Sequence, residues 1–102
     1  MIRHVVFFSA RDPADADRIA AGLAMLGNIP HARHFEVGRN LHSDSISGAR
    51  VDVVVYAEFD DEVALAAYKA HPVYARCIEL VRPLREMRIA ADFTAAKGAV
   101  RG

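Results

Sequence analysis

From Ile2 to Ser9 the chain alternates, with Ile2, His4, Val6 and Phe8 on one side and Arg3, Val5 and Phe7 on the other. That two-residue period, in a run of β-branched and aromatic residues closed by Arg11-Asp12-Pro13, predicts a strand. The period then changes: Ala16, Ile19, Ala20, Leu23 and Leu26 recur three and four residues apart, which predicts an amphipathic helix of about fifteen residues. Asp12 is placed to cap it with Pro13 in its first turn, Asp15 and Asp17 suit its N-terminal dipole, and Gly27-Asn28 can end it. Ile29-Pro30 forces an extended exit, and a second strand centred on His34 to Val37 closes at Gly38. The stretch 39–50, rich in Asn, Ser, Asp and Gly, has no period and is expected to be an exposed loop.

Val51 to Phe59 carries the strongest alternation, with Val51, Val53, Val55, Ala57 and Phe59 opposite Asp52, Val54, Tyr56 and Glu58. Asp60 or Asp61 caps the next helix, for which Val63, Ala66, Ala67 and Ala70 form the expected inward stripe. That helix must break at His71-Pro72, because proline lacks an N–H and its predecessor avoids helical geometry. Pro72 can in turn start another helix, with Val73, Cys77, Leu80 and Val81 as its apolar side, stopped by Arg82-Pro83. A last strand runs from about Leu84 to Phe93, Met87, Ile89, Ala91 and Phe93 alternating with Arg88, Ala90 and Asp92. Residues 1–93 are read as one domain and 94–102, mostly small residues, as a flexible tail.

The order β-α-β-β-α-β, its second helix broken, predicts an α+β fold of the ferredoxin-like kind: a four-stranded antiparallel sheet with helices on one face. Both faces of the central strands are apolar, so helices on one side leave uncovered either Val5, Phe7, Val54 and Tyr56 or Val6, Phe8, Val53 and Val55. A patch of that kind is larger than monomers usually expose. Sheet packed on sheet in a twofold homodimer removes it.

Composition narrows the function classes. In a chain of 102 residues, 53% of them apolar, 13 basic side chains balance 13 acidic ones. No clustered positive field is on offer to nucleic acid or an anionic membrane. The N-terminal apolar segment is too short, and its first charge too early, for a signal peptide or a membrane span. A cytoplasmic location is therefore expected. Cys77 is the one cysteine and reads as a small buried hydrophobe. His31, His34 and His42 lack the companion ligands of a zinc site and read as solvated histidines; no metal is expected.

Several segments together resemble the stress-responsive dimeric α/β-barrel (Dabb) family: Ile2-Arg-His-Val-Val-Phe-Phe8, Asn28-Ile29-Pro30, Val37-Gly38, Glu58-Phe59, Ala67-Tyr68-Lys-Ala-His71-Pro72, Arg82-Pro83-Leu84 and Ala91-Asp92-Phe93. The resemblance implies a homodimer, with a pocket in each subunit between sheet and helices. Its best understood chemistry is a plant polyketide cyclase that needs no cofactor and closes its substrate by aldol condensation; none is expected here either. Other relatives are stress-associated proteins, and the wider superfamily includes cofactor-free monooxygenases. By family register, His4 and Tyr68 are the candidate catalytic residues, and His4, Tyr68, His71 and Tyr74 the candidate ligand-binding ones.

Each has a structural reading beside the functional one. His4 is either a pocket imidazole or a buried, hydrogen-bonded core histidine. Tyr68 is either a substrate-binding phenol or an amphipathic core residue. For His71 the expected role is to tie a freed helix-end carbonyl at the break. Two departures count against inherited cyclase chemistry: Tyr74 stands where that relative has its acid/base histidine, and Val53 where it has another histidine. An unperturbed phenol, pKa ~10, is a poor base at neutral pH. The expectation is a homodimer binding a small apolar or carbonyl-containing ligand, with cofactor-independent chemistry on a carbonyl compound as its extension. The alternatives are a non-catalytic stress-associated dimer and a cofactor-free monooxygenase.

Overall fold

Four strands pair into one antiparallel sheet in the computed structural model, which describes residues 1–44 and 48–96. They are β1 (Ile2–Ala10), β2 (His34–Arg39), β3 (Val53–Phe59) and β4 (Arg85–Thr94), in spatial order β2-β3-β1-β4. The helices α1 (Ala16–Ala24), α2 (Glu62–Ala70) and α3 (Pro72–Val81) fill the connections. This is the ferredoxin-like α+β arrangement the alternation predicted. β4 lies at the edge, paired with β1 alone, and runs one residue past the expected domain end at 93. Residues 97–102 of the expected tail and 45–47 of the expected loop lie outside the described residues.

The local signals act much as anticipated. Asp12 accepts the Ala14 N–H at 3.0 Å and opens a 3-10 turn over Pro13–Asp15 that leads into α1. A second 3-10 turn, Met25–Asn28, tapers the helix before the extended Ile29. Asp61, rather than Asp60, caps α2 by accepting the Ala64 N–H at 2.9 Å, and Asp60 pairs with Arg33. Gly22 lets α1 approach α3, because a Cβ there would stand 3.0 Å from Val81. Cys77 is buried in that seam and donates to the Gly22 carbonyl.

Core packing corrects three expectations. The inward edge of α2 is Leu65 and Tyr68, flanked by Ala64 and Ala67. Val63 is 77% exposed, and Ala66 and Ala70 also face out. In an alanine-rich helix several stripes have the right spacing, and turning Leu and Tyr inward buries more apolar area than turning Val and three alanines. On α3, Leu80 is 54% exposed, and Tyr74 and Ile78 pack beside Cys77 and Val81 instead. The third concerns the start of β3, expected at Val51: the strand begins at Val53, and Asp52, placed by the alternation on the face of Val54 and Tyr56, is fully buried just before it.

The register puts Ile2, His4, Val6 and Phe8 on the helix side with Val53, Val55, Ala57 and Phe59. The opposite face carries Val5, Phe7, Val54 and Ile89 with no helix over it.

Candidate functional site

A cavity of about 300 Å³ lies between the sheet and the helices α1 and α3. Phe8 and Val55 from the sheet, Leu23 and Leu26 from the first helical segment, and Ile78 and Val81 from α3 supply its apolar wall. Tyr68, Tyr74 and Cys77 add polar atoms, and Arg82, Arg85 and Arg88 complete the lining. The β-α-β-β-α-β order makes this space, since α2 breaks at His71 and α3 leaves at a new angle, with Tyr74 one turn into it.

Tyr68 is 1% exposed and packs its ring on Phe59, Tyr74 and His4, with centroids 4.9, 5.3 and 6.0 Å away. Burial raises its pKa, with Tyr74 and Cys77 acting in the same direction and Arg88 opposing them. Among the described residues no sealed side-chain polar atom lacks a partner. The Tyr68 hydroxyl has no protein partner there, so it opens to the cavity. Tyr74 accepts a hydrogen bond from Arg88 at 3.3 Å. Burial pushes the Cys77 thiol up to about 11, so it stays protonated at neutral pH and is no nucleophile.

His4 is buried but does not line the cavity, because Tyr68 stands between them. The family register had placed it in the pocket. Its Nδ1 hydrogen-bonds Asp92, its cross-strand neighbour on β4, and Lys69 approaches the other Asp92 oxygen at 3.9 Å. Burial lowers the His4 pKa, the Asp92 hydrogen bond and charge oppose this, and Lys69 and Arg88 add to the lowering; the net direction is down from 6.5. Its folded pKa therefore lies below its unfolded one, and its contribution to stability falls as the pH drops below about 6.5. An NMR titration of the ring is expected to show His4 half-protonated below pH 6.5; a midpoint at or above that value would contradict this assignment.

His71 also lies outside the lining. Its backbone N–H ties the Tyr68 carbonyl at the end of α2 at 3.3 Å, while its imidazole serves the next helix. Its Nδ1 accepts the Val73 N–H at 3.1 Å and so caps the start of α3. An imidazole lone pair serves a freed N–H, and Pro72 leaves Val73 among the first such donors of α3. The other histidines go to separate places: His31 beside His71, His34 on Glu36 and His42 toward Asp52. Among the described residues no three His, Cys, Asp or Glu side chains are grouped to hold a metal ion, and no helix is long and apolar enough to cross a membrane.

The site thus brings Tyr68 and Tyr74 together, leaves His4 and His71 outside, and adds three arginines that the alternation pattern did not mark. The one available signal was their spacing, Arg82, Arg85 and Arg88, across a helix end, a proline turn and a strand.

A ferredoxin-like sheet with a cavity under a broken second helix defines a class of small α+β proteins. Within it, the chain belongs to the stress responsive A/B barrel domain (Dabb) family, whose profile matches residues 2–95. No curated protein matches it. Among solved structures it is similar to a dimeric ferredoxin-like protein of unknown function from Thermobifida fusca (26% identity, 90% of this chain and 88% of that one, TM-score 0.73). It is also similar to a Dabb family protein with a ferredoxin-like fold from Mesorhizobium loti (22%, 94% and 97%, 0.76). A third is a cofactor-independent oxygenase from Streptomyces nogalater (20%, 94% and 93%, 0.69). The last two, at these identities, speak for the fold alone.

Proposed function

We propose that this chain is a homodimeric small-molecule-binding protein whose cavity takes a small apolar or carbonyl-bearing ligand. The carrying observation is the Tyr68 hydroxyl, set in a buried aromatic cluster with no protein partner among the described residues. That hydroxyl opens to the cavity, where a ligand's polar atom can serve as its partner. Two kinds of lining group, the phenols and the arginines, can donate hydrogen bonds to a carbonyl oxygen. With Tyr68 and Cys77 held protonated, and arginine a donor only, these groups favour binding and polarising a carbonyl over removing a proton from its neighbour. The homodimer rests on the bare apolar sheet face and on the dimeric relative from Thermobifida fusca.

Acetophenone, a one-ring ketone, is a suitable probe. Calorimetry or ligand-observed NMR is expected to find saturable binding with a Kd on the order of 1 mM. Ile78→Trp, which fills the cavity, should abolish it. Tyr68→Phe should weaken it roughly two- to tenfold, the worth of one neutral hydrogen bond. If Tyr68→Phe lowers the thermal midpoint and leaves binding unchanged, the phenol serves packing and the non-catalytic structural dimer is the better account.

A further inference from the structure

Resting on that reading of the cavity as a binding site, we infer that its ligand carries an oxyanion head group on a small apolar body, held by Arg82, Arg85 and Arg88. Arg82, Arg85 and Arg88 line one cavity, Arg85 half-buried and the other two exposed at its mouth, and among the described residues none of them has a carboxylate within ion-pair distance. Five arginines elsewhere are paired, Arg3 with Glu58, Arg18 with Asp15, Arg33 with Asp60, Arg39 with Asp17 and Arg50 with Asp52, and the other arginines among the described residues without such a pair, Arg11 and Arg76, do not line a common cavity. The chain as a whole is neutral, 13 basic against 13 acidic residues, so this local excess belongs to the site. Convergent like charges repel unless an anion joins them. The C-terminus of α3 favours a cation at Arg82 but accounts for neither of the others.

Position strengthens the case. Arg88 lies on the helix side of β4, two residues along from the Ala90 that pairs with Val6, and it contacts the Tyr74 hydroxyl. A guanidinium braced on a phenol is partly preordered, and its planar fork matches a carboxylate or phosphate. The remaining wall, with Leu23, Leu26, Val55 and Val81, is apolar. About 300 Å³ equals the volume of about ten water molecules at ~30 Å³ each, which suits a single ring or a short chain. The Tyr68 hydroxyl is then left for a second polar atom on the ligand.

The test compares phenylacetate, phenyl phosphate and the neutral phenylacetamide by calorimetry on the full chain at low and high salt. The acid is expected to bind at least ~10-fold tighter than the amide, with a preference that shrinks as salt rises. The double variant Arg85→Gln/Arg88→Gln should bring the ratio near one, Arg88→Lys should keep part of it, and Arg76→Gln, outside the cavity, should leave it intact. Tighter phenyl phosphate points to a phosphorylated ligand and tighter phenylacetate to a carboxylic acid, and either supports the inference. If the amide matches the acid on wild-type protein, the oxyanion is wrong and the cavity reading stands. If acetophenone and all three of these probes fail to bind, both fall. The wild-type comparison needs no variant, so misfolding of a mutant cannot rescue the idea.

Discussion

Replacing Asp52 with alanine is expected to lower the unfolding free energy by about 2–3 kcal/mol, which for a chain this short means roughly 10–20 °C in the thermal midpoint. The carboxylate is fully buried. One oxygen accepts the Ala10 N–H at 2.9 Å and the other accepts Arg50 Nε at 2.7 Å. Its backbone N–H donates to the Phe8 carbonyl at 2.8 Å, and its own carbonyl accepts the Asn40 N–H at 2.9 Å. One residue thus joins the end of β1, the exit of β2 and the entry of β3. Alanine would strand the Ala10 N–H at a buried position, where an unmade hydrogen bond costs most. The pH dependence follows from the same contacts. Burial pushes the Asp52 pKa up, but the Ala10 N–H, the Arg50 hydrogen bond and charge, and His42 outweigh it, leaving the group below 3.8. Folded protein then binds fewer protons than unfolded, so the stabilisation is complete above 3.8 and is lost as the pH falls through the depressed value. Asp52→Asn can keep the Ala10 contact but not the ion pair, and its deficit against wild type should shrink in that acid range. Urea melts at fixed protein concentration measure both effects; a deficit under ~0.5 kcal/mol for Asp52→Ala at neutral pH would overturn the assignment.

Asp52 also shows where the sequence is mute. In the alternating run it falls in line with Val54 and Tyr56, and its acceptor role depends on Ala10, 42 positions away. No local period reports such a pairing. The strands themselves were legible because each carries enough β-branched residues at a two-residue period to specify register. The helix break was legible because His71-Pro72 admits only one backbone outcome. The phase of α2 was not, since small residues repeat on several of its faces and only packing against the sheet selects Leu65 and Tyr68. The cavity was half legible. Family register brought Tyr68 and Tyr74 to it, but register says nothing of depth, and the Tyr68 ring shuts His4 away from it. The arginines escaped notice because they straddle two elements, Arg82 at the end of α3 and Arg85 and Arg88 on β4, each with its own period. On a helix end or an edge strand, a basic residue reads as ordinary solvated surface until the elements are assembled.

Phe7→Glu is expected to convert the proposed dimer to monomer at micromolar concentration, raising its Kd by at least ~100-fold. Phe7 sits mid-strand on β1, between Val54 of β3 and Ile89 of β4. It is 38% exposed in the protomer and Ile89 is 55% exposed, so a carboxylate at position 7 is tolerable to the isolated chain. Against a second sheet it is not. An unpaired charge buried there costs several kcal/mol, and each 1.4 kcal/mol is tenfold in affinity. The polar margin of the same face shows how native charges avoid that cost. Arg3 donates to the Tyr56 hydroxyl at 2.7 Å, and Tyr56 donates to Glu58 at 2.6 Å. The Glu58 hydrogen bond, with burial and the Glu58 charge, holds the Tyr56 pKa up against the opposing Arg3. These groups satisfy one another within the protomer and can be covered without loss, whereas a carboxylate at position 7 has the apolar Val54 and Ile89 as its cross-strand neighbours. Sedimentation velocity with circular dichroism separates association from folding. A folded Phe7→Glu monomer places the interface on this sheet face, and Ile89→Glu should reproduce it. A Phe7→Glu protein that still associates with wild-type affinity would show that the copies meet elsewhere.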